Sequence, residues 1–527
     1  HPTSNWTYGE VRSDNAYKGG GGVGDLNEVH RMETFDMDAT NGFLDSKWYH
    51  LYCSVQRCNS ALRVLNAATD EQVNGRVSRI AEMKVLRAHY YFELSRLFNK
   101  IPYFDENVEI SQYPDIPNNE FTRDEILSML AEEMLDAAEQ LPASQPEVGR
   151  IHKYIALAYA AKIKLYQAYQ QDETTHAVTS INKELLREVV SLCDQVTASN
   201  RYGLLDDFQG LDLVANENGK ESVFAIQYSM NDGTESAGRI NWSNLLNSPG
   251  GGSPYGGDGF FLPSQDLINA YQTDANGLPD FNYQSKSDYS WAVLNNGVYT
   301  LQNTTPNVDP RLDFVVGRPT ITWKTYPDKP CEGWVRDKET YGYNCAKRFW
   351  VSPESSDMFN GWPWGASQLN WQIIRYADIL LWKAEALIEL NEGNGLETAR
   401  DLINQIRNRA RNSAYVKDFN DHSKYAANYL VNPYPADVWN QDYARQALRW
   451  ETRLEKALEG ERFFDLVRWG IVETTMNKYI TAESDNRIYY ANAHFTGGKD
   501  EYYPVPNNQY GFSGGKYVQN PGYAPFN

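Results

Sequence analysis

Residues 372–391 read QIIRYADILLWKAEALIELN, and residues 395–411 read GLETARDLINQIRNRAR. Apolar side chains recur in both at the three-and-four spacing of an amphipathic helix, and the Gly393–Gly395 turn divides them. Small residues at Ala377, Ala384 and Ala399 fall where paired helices must approach closely. A hairpin of this kind cannot bury its apolar face alone, so it predicts stacked neighbours.

Such neighbours are predicted on both sides. Upstream, helical patterns cover residues 47–66, 76–98, 122–142, 150–169 and 182–199. In the second of these, Ile80, Met83, Leu86, Tyr90 and Leu94 form the periodic stripe. The third opens on Thr122 with Glu125 completing a capping box, and stops at Pro142. Downstream, residues 442–460 continue the pattern. The hairpin looks like a tetratricopeptide pair whose turn lengthens it beyond about 34 residues. About four such pairs, stacked in a right-handed superhelix, are expected. The fold class is therefore mainly α: a tetratricopeptide-like scaffold interrupted by a large, loop-rich insertion with short strands. We expect one unit over 1–527, with a helical block at 47–199, an irregular ligand-binding insertion at 200–368, a second helical block at 369–480 and a loop segment at 481–527. Within the insertion, residues 221–229 (ESVFAIQYS) read as a strand and 262–272 (LPSQDLINAYQ) as a short helix.

Bulk properties exclude several functions. The formal charge of −20 repels phosphate backbones, so nucleic acid is not an expected partner. No apolar run reaches the ~20 residues that span a bilayer. The opening HPTSNWTYGE has neither a start Met nor a signal segment, which reads as a mature or truncated form. Cys53, Cys58, Cys193, Cys331 and Cys345 lack metal-ligand spacing. Cys331 and Cys345 flank a Gly- and Tyr-rich loop and could be bridged in an oxidising compartment. The glycine runs at 19–27 and 248–260 lack a phosphate-loop pattern, and no nucleophile elbow occurs. DANGLPD, residues 274–280, resembles only part of a calcium loop. No catalytic residue, metal or cofactor is expected.

The densest charged motif, EGERFFDLVRWG at 459–470, places Glu461 and Asp465 one helical turn apart. A glycosidase pair would need one carboxyl kept protonated by its surroundings. Here Asp465 can pair with Arg468, and Arg462 can meet Glu455 or Glu459, which would lower the acids' pKa values. The motif reads as scaffold.

The remaining feature is aromatic: 36 Tyr and 14 Trp, many in polar loops that a core cannot absorb. A flat ring among polar neighbours suits the apolar face of a sugar, with nearby charged and amide groups bonding its hydroxyls. The candidate platforms are Trp6, Tyr8, Tyr255, Tyr289, Trp291, Trp323 and Trp364, the last beside Trp362. Arg12, Asp14, Lys18, Asp25 and Asn27, in the loop after Tyr8, are the candidate polar partners. Arg12, Lys18, Arg239, Arg318 and Lys324 could also line a local positive pocket.

Several motifs occur in an order that identifies a family. VRSDNAYKGG (11–20), EMKVLRAHYYFELSRLFNKIPYF (82–104), NVDPRLDFVVGRP (307–319), IIRYADILLWKAEAL (373–387), ALEGERFFDLVRWG (457–470) and the closing YYPVPNNQ and VQNPGY together resemble the SusD/RagB family of Bacteroidetes. The resemblance spans essentially the whole chain. It implies a non-catalytic, cell-surface lipoprotein that binds oligo- or polysaccharide and covers a SusC-like TonB-dependent transporter in the outer membrane. It also implies an N-terminal lipid anchor, whose Cys is not in this sequence. Its ligand residues vary with the glycan, so only location carries over: the loop after RSDNAYK and the insertion loops around Tyr289–Trp291 and Trp323. We expect the isolated chain to be monomeric, with both helical blocks, including the segment 372–390, presenting a polar face to the transporter. The competing readings are a glycoside hydrolase or lyase using loop acids such as Asp258, Asp266 and Asp288, and a helical-repeat adaptor for proteins.

Overall fold

The computed structural model describes residues 5–235, 238–331 and 333–526. Five long helices open the scaffold: α1 (Gly42–Ala67), α2 (Arg76–Phe98), α3 (Arg123–Gln140), α4 (Lys153–Ala168) and α5 (Lys183–Ala198). Each packs on the next in sequence. After the insertion come α6 (Tyr376–Leu390), α7 (Gly395–Asn412) and α8 (Gln441–Glu455). Helix α6 packs directly on α5 and on α7, so the stack runs across the insertion as though it were absent.

Local chemistry sets the helix ends. The Asn41 side chain accepts from the amides of Phe43 and Leu44 to start α1. The Thr122–Glu125 capping box forms as expected, with the Thr122 amide donating to Glu125 Oε2 at 2.8 Å. Asn391, in the left-handed region at φ 51°, ends α6. Ala377, Ala384 and Ala399 are fully buried between helices, consistent with close approach.

Two expectations about helix faces change. In α2 the expected stripe is fully buried only at Leu94, beside Ala81, Val85, Ala88 and Phe92, while Ile80, Met83, Leu86 and Tyr90 are only partly covered. Small residues permit the tightest contact, so the larger side chains flank the seam. The segment 372–390 does not offer a free face either. Residues Trp371–Arg375 are a strand, and α6 is buried on nearly every side.

The insertion is fastened at its ends. Strand Ser222–Ile226 pairs antiparallel with Trp371–Arg375, closing its base. The N-terminal segment joins it through Ala16–Gly19 on Phe260–Pro263. Among the described residues the strands pair only in twos. No described helix is long and apolar enough to cross a membrane.

A buried ionic network locks the insertion to the second helical block. Arg375, at the end of the closing strand, donates to Glu221 at 3.1 Å, Glu455 at 2.6 Å and Glu459 at 3.0 Å. Arg311 meets Asp309, Glu451 and Glu455, and Arg407 meets Glu451. All these groups are buried, so each charge depends on its partners.

The motif at 459–470 belongs to this network. Residues Arg462–Arg468 form a short helix, α9. Glu461 pairs with Arg96 at 2.7 Å and Lys162 at 3.1 Å, and these cations overcome the cost of burial and lower its pKa. Asp465 pairs with Arg468 at 2.8 Å as expected, but burial outweighs that arginine and its pKa rises. Arg462 does not meet Glu455 or Glu459. It grips Asp14 through Nε and Nη2 at 2.8 and 2.9 Å.

Candidate functional site

The N-terminal candidates from Trp6 to Lys18 lie inside the molecule. Trp6 and Tyr8 are fully buried, Trp6 against Phe261 and Tyr8 donating to the Phe43 carbonyl at 3.3 Å. Arg12 is enclosed by the rings of Tyr503 and Phe463, 3.9 and 4.5 Å from their centroids. Asp14 is held by Arg453 and Arg462, which bring its pKa to about 2 despite the cost of burial. Burial lowers the Lys18 amine to about 8, and it donates to the Gly22 carbonyl at 2.7 Å and to that of Asp25. Asp25 accepts from the Gly21 amide at 2.8 Å and from Arg336 at 3.1 Å; Asn27 is exposed at the start of helix Asn27–Glu33.

The insertion candidates divide. Tyr255, Tyr289 and Trp323 are buried. Trp323 Nε1 donates to Tyr255 Oη at 3.0 Å, and Trp334 and Trp350 complete this internal aromatic cluster. Trp291, Trp362 and Trp364 are open to solvent, at 45%, 55% and 43% exposure. Trp291 starts the hairpin of strands Trp291–Asn295 and Val298–Gln302. Trp362 stands edge-on to Trp242 at 5.4 Å. The expected positive pocket does not assemble: Arg12, Lys18 and Arg318 are buried, and Arg239 pairs with Asp232 at 3.3 Å.

Lys324 instead borders the principal groove, a cavity of about 900 Å³. Three loops form it, around residues 205–216, 322–327 and 414–422. Side chains fasten them together. Gln209 donates to the Ala414 carbonyl at 2.8 Å, the Ala414 amide to Asp207 at 3.1 Å, and the Thr322 hydroxyl to the Lys417 carbonyl at 2.9 Å. The TITWKTYPD stretch thus turns Trp323 inward and gives Lys324 and Tyr326 to the groove. The third loop lies between α7 and α8, outside the 200–368 insertion expected to carry the site. Its only signal was polar residues interleaved with rings: Tyr415, Phe419 and Tyr425.

Tyr326, Tyr415 and Phe419 supply flat apolar surface to this groove. Its charges are largely matched: Lys324 meets Asp212 at 3.0 Å, and Lys220 meets Asp206 at 2.8 Å. At the floor, burial lowers the Lys347 amine to about 7, and it donates to the Asp313 and Thr322 carbonyls at 2.7 and 2.8 Å. A concave site of this volume, with rings and internally paired charges, suits a neutral, hydroxyl-rich ligand.

Of the candidate loop acids, Asp288 accepts from the Asn269 amide at 2.8 Å, and Asp258 is partly buried near Arg336, with burial raising its pKa. Asp266 is buried against Arg453 at 2.7 Å and the Tyr283 hydroxyl at 2.6 Å. Asp274 Oδ1 accepts the Asn276 and Leu278 amides at 2.8 and 2.9 Å, closing its own turn. No disulfide joins exposed Cys331 to buried Cys345, whose thiol lies 3.5 Å from the Gly317 carbonyl.

Comparison with known proteins agrees with the fold. A family model described as the SusD family matches residues 220–523, and one described as starch-binding associating with outer membrane matches residues 6–165. The chain belongs to the SusD family, whose members are non-catalytic, outer-membrane-associated, surface glycan-binding proteins. SusD-like protein P2 of Formosa agariphila is 24% identical over 499 residues, covering 93% of this chain and 83% of its own. A laminarin-binding SusD-like protein superposes with a TM-score of 0.67 at 21% identity, covering 98% of this chain and 94% of that one. Surface glycan-binding protein A of Bacteroides thetaiotaomicron, solved with laminarihexaose, gives 0.66 at 19% identity, over 98% and 93%. These two structures share the fold.

Proposed function

We propose that the groove of Tyr326, Tyr415 and Phe419 captures an oligo- or polysaccharide, and that the protein hands it to a SusC-like TonB-dependent transporter over which it closes. The observation that carries this reading is the combination of partly exposed rings lining the groove with charges already paired to one another. A sugar's hydroxyls can then bond the rim without stranding a charge. The irregular insertion supplies two of the groove's loops, and Trp291, Trp362 and Trp364 are outlying platforms for a longer chain. An N-terminal lipid anchor would hold the protein at the cell surface.

Affinity in isolation should be micromolar to millimolar, roughly −8 to −4 kcal/mol, because closure over the barrel supplies the rest. Laminarin oligosaccharides are the first neutral probes, given what two similar structures are described as binding. Calorimetry on Tyr326→Ala and Tyr415→Ala should show binding weakened by roughly 1–3 kcal/mol with the melting temperature unchanged. Full affinity in both, for a glycan the native protein binds, would remove the groove from the site. Gentle outer-membrane extraction of the anchored form should recover a TonB-dependent barrel; its absence would count against the handover.

A further inference from the structure

Beyond Lys220 the groove borders a second depression of about 510 Å³, lined by residues 145–152, Arg201–Tyr202 and 218–227. Lys220 lines both cavities, so the two adjoin at this side chain. The wall is closely built. Gly149 sits at φ +79°, and a Cβ there would fall 2.4 Å from the Gln227 side chain. Gln227 and Asn218 exchange amide hydrogen bonds at 2.9 and 3.0 Å.

The charges differ from those of the groove. Arg150 is bound through Nε and Nη2 by Glu82 at 2.7 and 2.8 Å, with Glu147 3.8 Å away, and Lys220 is met by Asp206. Arg201 is exposed and forms no ion pair among the described residues. Its neighbour Tyr202 directs a hydroxyl to His152 Nε2 at 3.3 Å, while His152 Nδ1 is buried without a partner. A guanidinium without a carboxylate partner therefore lines this polar cavity.

We infer that this depression is an anion-selective subsite, in which Arg201 receives a sulfate ester or carboxylate on a sugar whose neighbours lie in the groove. The guanidinium fork matches either oxyanion, and Lys220, on the shared rim, can contact the adjoining residue. The inference rests on the groove being the glycan site, and the two readings fail separately.

The test uses the full chain and three hexasaccharides: laminarihexaose, its sulfated derivative and an oligouronate. The native protein should prefer at least one anionic ligand to the neutral one by roughly tenfold. Added salt should erode that preference. Arg201→Gln should abolish it while leaving laminarihexaose affinity unchanged, and Arg201→Lys should restore part of it. Comparing the sulfated and uronate arms shows which anion is recognised. Equal binding of all three by the native protein, or a preference that survives Arg201→Gln, overturns the subsite. Neutral binding that survives Tyr326→Ala and Tyr415→Ala overturns the groove instead.

Discussion

Residues 11–20 (VRSDNAYKGG) and 320–328 (TITWKTYPD) have similar side chains: basic groups, an aspartate, aromatic rings and little aliphatic bulk. Their fates differ. The first is absorbed whole, with Arg12 between Tyr503 and Phe463 and Asp14 between Arg453 and Arg462. The second divides at one peptide, with Trp323 in an aromatic cluster and Lys324 and Tyr326 on the groove. Composition therefore does not separate a binding loop from a buried strap. What separates them is how far distant segments enclose the chain. The N-terminal strap is covered by α8, α9, the insertion strand Phe260–Pro263 and the C-terminal segment, whereas the groove loop leaves Lys324 and Tyr326 partly open to solvent.

The largest effect should come from removing a partner inside the network. Arg375→Ala removes the one cation shared by Glu221, Glu455 and Glu459, which keep only Arg409, Arg311, Arg348 and Lys456 between them, and should cost about 3–5 kcal/mol in denaturant-induced unfolding. A loss below about 1 kcal/mol would mean that the remaining cations or water satisfy these acids, and the contrast with the groove would collapse. Next in size is Trp323→Ala, expected to cost roughly 3–5 kcal/mol as a core cavity does. Three residues along, Tyr326→Ala should leave stability within about 0.5 kcal/mol. Equal melting temperatures for the two variants would break the division proposed for that loop.

Acid titration sharpens the same comparison. Arg409, Arg375 and Arg311 overcome the cost of burial and lower Glu455 from 4.5 to about 2. The folded form stays charged where the unfolded chain takes up a proton. The stabilisation is thus complete above pH 4.5 and disappears as pH falls toward 2, amounting to roughly 3 kcal/mol. Glu10 behaves oppositely: burial raises it to about 7, so its contribution is complete below pH 4.5 and is lost as pH rises through 7. Burial also raises Glu217, Glu483 and Glu501 to about 7, so unfolding curves between pH 2 and 8 should show Glu10→Gln reducing the alkaline-side loss; an unchanged profile would refute the assignment.

Legibility in the sequence followed distance along the chain. The Thr122–Glu125 box, the alanines of the α6–α7 pair and strand Ser222–Ile226 were readable because their causes lie within a few residues. Arg462 was assigned to nearby Glu455 or Glu459, yet its carboxylate, Asp14, lies 448 residues away. The same limit hid the inward turn of Trp323 and the part taken by residues 414–422. Ring exposure depends on what the rest of the chain brings to that point, and no periodicity encodes it. Trp291 and Trp364 were picked on the same grounds as Trp6 and Tyr8, and only the fold separates them.

The smallest expected effect concerns Trp291. Its ring shares one face of an exposed hairpin with Val293 and Thr300, opposite the face through which Leu301 packs on the core. Removing it should change stability by no more than about 0.5 kcal/mol. A lone platform away from the groove loops contacts only a ligand long enough to reach it, so a hexasaccharide should bind Trp291→Ala as it binds the native protein. Long polysaccharide should be retained less well, by roughly 1 kcal/mol, in affinity electrophoresis. A hexasaccharide that already senses the substitution would move the hairpin into the primary site. Polysaccharide that never senses it would make Trp291 an ordinary exposed ring, leaving Trp362 and Trp364 as the outlying platforms to test.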